Sequence, residues 1–188
     1  MKQSEWRDGW LRRARSTVSP NFGPRPEGTI VDLVVVHSIS LPPGHYGGEA
    51  VERLFTNTLD WGEHSYYETI RGLQVSAHFL IRRDGALLQF VSGDDRAWHA
   101  GPSSWEGRGG CNDLSIGIEL EGLEGGPFED AQYRALAGAL RSVVARYPIA
   151  AVVGHEHIAP GRKCDPGAGF DWAHLRRSSR LATVRFAT

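Results

Sequence analysis

Ile30-Val31-Asp32-Leu33-Val34-Val35-Val36-His37 is the stretch that decides the fold. It is β-branched and almost continuously apolar. That pattern marks a strand buried on both faces, as in a parallel or mixed sheet with helices on either side. The run ends on a histidine. A second run, Ala150-Ala151-Val152-Val153, ends the same way at Gly154-His155. Neighbouring strand ends share one rim of a sheet, where sites of α/β proteins form. A lone histidine at a sheet edge is most often a hydrogen-bonded structural residue, but two at matching strand ends favour function.

Working outward, Ser115-Ile116-Gly117-Ile118-Glu119-Leu120-Glu121 alternates in the strand period, placing Ile116 and Ile118 on one face and Glu119 and Glu121 on the other. Ser76 to Arg82 and Ala86 to Val91 flank an Asp84-Gly85 turn and predict a hairpin. Asp130 to Tyr147 carries Tyr133, Leu136, Ala137, Leu140, Val143, Val144 and Tyr147 in helical spacing, and Pro148 stops it. Shorter helices are expected over Glu49 to Leu59 and Asp171 to Leu181, and loops over Ser40 to Gly48, Trp61 to Gly72 and Asp94 to Gly110. The fold class expected is α/β (α+β), a single domain with a mixed central sheet flanked by helices. Residues 1–29 are expected as an irregular segment packed on a domain of residues 30–188, because Pro20, Pro24 and Pro26 enforce an extended course.

Composition narrows the function classes. The 188 residues are 40% hydrophobic and 23% charged, values of an ordinary soluble globule. A net charge of −1 offers no electrostatic case for a nucleic-acid or membrane partner. No apolar run approaches a membrane span. The polar start, Met1 to Asp8, has no secretory apolar region, so a cytoplasmic protein is expected, and separately a monomer. Cys111 and Cys164 are too few for a disulfide framework.

The densest chemistry lies in Gly154 to Gly167, which holds His155, His157, Lys163, Cys164 and Asp165 among prolines and glycines. His37, His155 and a carboxylate can supply the three protein ligands of an open zinc site. Asp165 is one choice for the third ligand; His157 and Cys164 compete, and spacing leaves the choice open. Glu119 reads either as a solvent-facing carboxylate or as a general base beside a metal site. Lys163 and Lys2 are the only lysines among 21 basic residues, which suggests that a compact ammonium is needed in this loop. Trp98-His99 reads as local packing or as a platform for a sugar or peptide. His78 reads as structural, and His45, His64 and His174 as surface residues.

Several segments together resemble the AmpD-type N-acetylmuramoyl-L-alanine amidases, whose wider family includes phage amidase lysozymes and peptidoglycan recognition proteins. They are Val35 to Gly44, Val75-Ser76-Ala77-His78, Leu80 to Gly85, Arg96-Ala97-Trp98-His99-Ala100-Gly101, Cys111-Asn112-Asp113, Ser115 to Gly122, and Gly154 to Gly167. The resemblance implies one Zn2+ held by His37, His155 and Asp165, and a catalytic pair of Glu119 and Lys163. It implies hydrolysis of the amide between (1,6-anhydro-)N-acetylmuramic acid and L-alanine of muropeptides, in cytoplasmic wall recycling. Three positions depart from the family pattern, each implied to lie in or near the substrate groove. Ser38 stands where Asn is common, and Gln74 and Gly110 stand where Arg is common. Ser38, Trp98, His99, Arg108 and Arg162 are the candidate substrate contacts, the two arginines as carboxylate partners. A lytic amidase on intact wall and a non-catalytic muropeptide-binding module are the alternatives.

Overall fold

The computed structural model describes residues 4–187. Its main sheet has seven strands: β1 (Arg15–Ser16), β2 (Leu33–Ile39), β3 (Phe79–Ile81), β4 (Leu87–Gln89), β5 (Ser115–Glu121), β6 (Ala151–Gly154) and β7 (Arg185–Phe186). Their order across the sheet is β7-β6-β2-β5-β3-β4-β1. Every neighbouring pair is parallel except the β3–β4 hairpin, so the sheet is mixed, as expected. The helices are α1 (Ala50–Phe55), α2 (Ser65–Thr69), α3 (Cys111–Leu114), α4 (Asp130–Arg146), α5 (His155–Ile158) and α6 (Trp172–Ser179).

Alternation along the central strands separates two layers. Val34 and Val36 of β2 join Ile116, Ile118 and Leu120 of β5 in a core covered by Leu136, Leu140 and Val143 of α4. Burying each such side chain contributes about 1.5–3 kcal/mol. Leu33 and Val35 face the opposite way, against Cys111, Leu114 and Val153. His37 continues that second series, and the β2–β5 register sets it directly beside Glu119. The alternation that builds the α4 core therefore delivers both polar side chains to the sheet's other face.

The β3–β4 turn has Gly85 at φ +88, where a Cβ would sit 2.9 Å from the Ala131 carbonyl oxygen. The turn thus packs on the start of α4. Helix α4 ends where Pro148 follows.

Three expectations need correction, the first being the Asp94 to Gly110 loop, in which Arg96–Ala97 and the antiparallel pair Ser104–Trp105 and Arg108–Gly109 form short strands. The N-terminal segment is not wholly irregular: Arg15–Ser16 forms β1 on the sheet edge, and Trp6 and Leu11 are buried in the α4 core. Trp61 to Gly72 is not a loop throughout: a 3-10 turn at Trp61–Glu63 leads into α2. Its start is capped by side chains, since Asp60 accepts from Gly62 N–H and His64 Nδ1 from Tyr66 N–H. Caps of this kind can start a helix too short to show an apolar period.

His78 is fully buried, with Nδ1 accepting the Gly117 N–H at 3.0 Å and Nε2 donating to the Asp95 carbonyl at 3.1 Å. Burial, helped by the nearby Arg25 guanidinium, pushes its pKa down from 6.5 to about 3. Between those values the unfolded chain binds a proton that the folded chain refuses. Stability contributed by neutral His78 is therefore lost as pH falls from 6.5 toward 3, at a slope of about 1.4 kcal/mol per pH unit. Urea unfolding of chelator-treated protein between pH 6.5 and 4 is expected to lose about one proton of slope in His78→Gln. An unchanged slope would refute the assignment.

Candidate metal centre and active-site cleft

Strand β6 flanks β2 on one side and β5 flanks it on the other, all three parallel. Their carboxyl ends therefore open on one rim. His37 comes from the end of β2, His155 from the first residue after β6, and Glu119 from β5. The loop after α5 returns to this rim with Asp165. Its backbone is tied there by Glu156 N–H donating to the Asp165 carbonyl at 3.0 Å.

His37 Nδ1, His155 Nδ1 and Asp165 Oδ2 converge. The two nitrogens are 2.9 Å apart, and each lies 3.2 Å from the carboxylate oxygen. All three residues are buried. A tetrahedral site with ligand bonds of ~2.0–2.1 Å has edges of about 3.3 Å, so the cluster is close to the size zinc requires. The outward nitrogens are also engaged: His37 Nε2 lies 2.9 Å from His99 Nδ1, and His155 Nε2 lies 3.0 Å from the Ala100 carbonyl oxygen. The donor set is two imidazoles and one carboxylate, which suits zinc with a position left open.

Burial drives the His37 pKa down to about 4, opposed by its hydrogen bond to Asp165. Burial raises Asp165 in turn, but hydrogen bonds to His155 and His37 hold its carboxyl well below the usual range. A neutral His37 facing an ionised Asp165 is the pairing of protonation states a cation needs.

The competitors for the third position are placed elsewhere. The single turn of α5 rotates His157 away, where its Nδ1 accepts the Gly154 N–H at 2.9 Å and its ring lies edge-on to Trp172. Cys164 is exposed.

Glu119 and Glu121 share a face of β5 but differ in company. Glu121 is fully engaged: Arg82 donates to it at 2.7 Å, the Gly47 N–H at 2.7 Å and the Arg83 N–H at 3.2 Å. Glu119 is also buried, yet its Oε2 has no hydrogen-bond partner. Desolvation raises its pKa well above the ordinary value, with Asp165 adding to the rise and Lys163 opposing it. A strand period cannot distinguish these two glutamates, because it reports the face and not the partners.

A cleft of about 340 Å³ opens over the cluster of His37, His155 and Asp165 and is lined also by Glu119, Lys163 and Ser38. The Ser38 hydroxyl is buried without a partner. The cleft lining also includes Leu41, Tyr66, Ile70, Leu73 and Val75. Tyr66 and Ile70 come from the segment expected to be a loop. Their four-residue spacing is the signal that could have revealed them.

The other expected contacts lie differently. His99 reaches the cleft, but its ring nitrogens are occupied by His37 and by Ser115 Oγ at 3.1 Å, so it is no open platform. Trp98 is half-buried and outside the cleft lining. Arg162 folds back to donate to the carbonyls of Ala100 at 2.6 Å and Pro102 at 2.8 Å. Arg108 is held by Asp32 in two bonds of 2.8 and 3.1 Å. Asp32 precedes β2, and five residues of strand put it about 16 Å from His37, on the opposite rim. Gly110 directly precedes α3 and, like Gln74, is not among the residues lining the cleft.

Residues 27–168 match the model of the N-acetylmuramoyl-L-alanine amidase family Amidase_2. The chain belongs to this family. Amidase relatives include the 1,6-anhydro-N-acetylmuramyl-L-alanine amidase AmpD of Citrobacter freundii, 52% identical over 90% of this chain and 91% of that protein. A crystal structure of a selenomethionine derivative of AmpD superposes with a TM-score of 0.87 at 50% identity, covering 92% of this chain and 97% of that one. The amidase AmiD of Escherichia coli, solved with anhydro-N-acetylmuramic acid-L-Ala-D-γ-Glu-L-Lys, is 31% identical with a TM-score of 0.57, over 82% of this chain and 60% of that one. Among the described residues no helix is long and apolar enough to cross a membrane.

Proposed function

We propose that this protein is a zinc-dependent amidase that hydrolyses the bond between the lactyl carbonyl of (1,6-anhydro-)N-acetylmuramic acid and the L-alanine nitrogen of muropeptides, acting in cytoplasmic recycling of wall fragments. The observation that carries the reading is the unpartnered buried carboxylate of Glu119 in the same cleft as three converging ligand atoms. The high identity to AmpD relatives over nearly the whole chain supports the substrate class.

His37, His155 and Asp165 would hold the zinc. When bound there, zinc supplies a Lewis acid for the scissile carbonyl and lowers the pKa of water toward ~7. Glu119, buried in the cleft lining, would take the proton of the attacking water and deliver it to the departing alanine nitrogen. Lys163, in the cleft lining, would bring its ammonium to the charge that develops on the carbonyl oxygen. The apolar side chains of the cleft lining would accept the methyl groups of the lactyl, acetyl and alanyl units, and Ser38 Oγ offers a free donor to the substrate.

Lys163→Met is expected to lower kcat by about 10²–10³ with zinc content unchanged. Lys163→Arg should recover only part of that loss, because a planar fork cannot replace a compact point charge. Full activity in the arginine variant, measured by steady-state kinetics, would refute that role.

The deciding experiment incubates purified protein and zinc with 1,6-anhydro-N-acetylmuramoyl-tripeptide and follows the products by mass spectrometry. Free tripeptide whose release stops with a chelator supports the proposal. Intact substrate with zinc bound would favour a muropeptide-binding module, and clearing of intact wall would favour a lytic enzyme.

A further inference from the structure

Both ligand histidines turn Nδ1 toward the site, so each must keep its ring proton on Nε2 to offer a lone pair there. The structure provides an acceptor for each of these protons. His37 Nε2 lies 2.9 Å from His99 Nδ1. His99 then carries its own proton on Nε2, 3.1 Å from Ser115 Oγ. The Ser115 hydroxyl reaches the Cys111 carbonyl oxygen at 2.5 Å. Every donor in this row meets one acceptor, and the row ends on a carbonyl, which cannot donate back. The direction is therefore set from the far end. For His155, the Nε2 proton meets the Ala100 carbonyl oxygen at 3.0 Å.

The two acceptors are chain neighbours, the side chain of residue 99 and the carbonyl of residue 100. One side chain holds the backbone N–H groups beside both, while Arg162 also donates to the Ala100 carbonyl oxygen itself at 2.6 Å. Asn112 Oδ1, from α3, accepts the N–H of His99 at 3.0 Å and the N–H of Ala100 at 2.7 Å. The His99 ring is confined from its other side by Gly117, where a Cβ would lie 2.4 to 2.7 Å from ring atoms.

We propose that Asn112 is a positioning residue for both ligand histidines, acting on His37 through the His99 ring and on His155 through the Ala100 carbonyl, with Ser115 setting the sense of the His99 ring. The inference rests on the reading of His37, His155 and Asp165 as zinc ligands. Partners that orient a metal-bound imidazole typically contribute 10–100-fold in metal affinity. Here one amide oxygen serves two ligands.

The test measures zinc affinity of metal-free protein by competition with a chromophoric chelator. Asn112→Ala is expected to weaken binding by about 10–100-fold. Asn112→Asp, which keeps the Oδ1 acceptor, should return it to within a few-fold of the parent chain. Equal affinity in Asn112→Ala would overturn the inference while leaving the metal reading intact. A parent chain that takes up no zinc would end both. A second readout needs no variant: long-range proton–nitrogen spectra of the zinc-loaded protein should show His37, His155 and His99 all protonated on Nε2. His99 protonated on Nδ1 would overturn the relay even if Asn112→Ala fails to fold.

Discussion

Glu119→Gln is expected to lower kcat by about 10²–10⁴ while leaving zinc content unchanged. The substitution preserves shape and hydrogen-bonding size but removes the ability to accept a proton. In the folded chain Glu119 has no structural work that would mask the result, since its Oε2 is buried without a partner. A carboxylate left unpaired in a buried position is costly unless a ligand uses it. The internal control is Glu121, two residues along the same face. Its carboxylate ties Arg82 and the backbone at Gly47 and Arg83 together. Glu121→Gln should therefore act on stability, lowering the denaturant midpoint, and leave most of kcat in the folded enzyme. Steady-state kinetics, metal analysis and urea unfolding on both variants make the comparison. A fall in kcat as large in Glu121→Gln as in Glu119→Gln would remove the case for Glu119 as the base, and so would lost zinc in Glu119→Gln.

The contrast between these glutamates shows where sequence reading stops. Apolar runs and their ends were legible: Leu33 to Val36, the 115–121 strand and the α4 helix are long enough for periodicity to speak. The histidines at 37 and 155 stood out because each closes such a run. What could not be read was direction within irregular chain. Whether His157, Cys164 or Asp165 faces the rim depends on the single turn of α5, which is too short for a helical pattern. Arg108 misled for a related reason, because its partner Asp32 belongs to the opposite end of the strand that carries His37. In the sequence Asn112 is one position of a motif, and its link to both histidines runs through backbone N–H groups that no residue pattern reports. The α2 segment is hard to read because the turns capped by Asp60 and His64 are brief, a 3-10 turn of three residues and a helix of five.

Zinc at a thousandfold excess over its dissociation constant is expected to stabilise the folded chain by about 4 kcal/mol. For a domain of this size each kcal/mol moves Tm by about 2–4 °C, so scanning calorimetry should show a rise of about 8–16 °C over chelator-treated protein. Asp165→Ala should abolish that rise together with activity. The carboxylate offers one of the three converging atoms, and it is the one that brings negative charge to a buried cluster whose other members are imidazoles. Two imidazoles alone leave too few ligands and no charge balance for a dication out of water. His157→Ala and Cys164→Ala should keep the full zinc-dependent rise, because His157 is spent on the Gly154 N–H and Cys164 faces solvent. The three variants come from one segment of nine residues, 157–165, yet only one is expected to lose the metal response. Asp165→Ala with an intact zinc-dependent shift, or Cys164→Ala without one, would mean that the cation sits on a different set of atoms from the three that converge here.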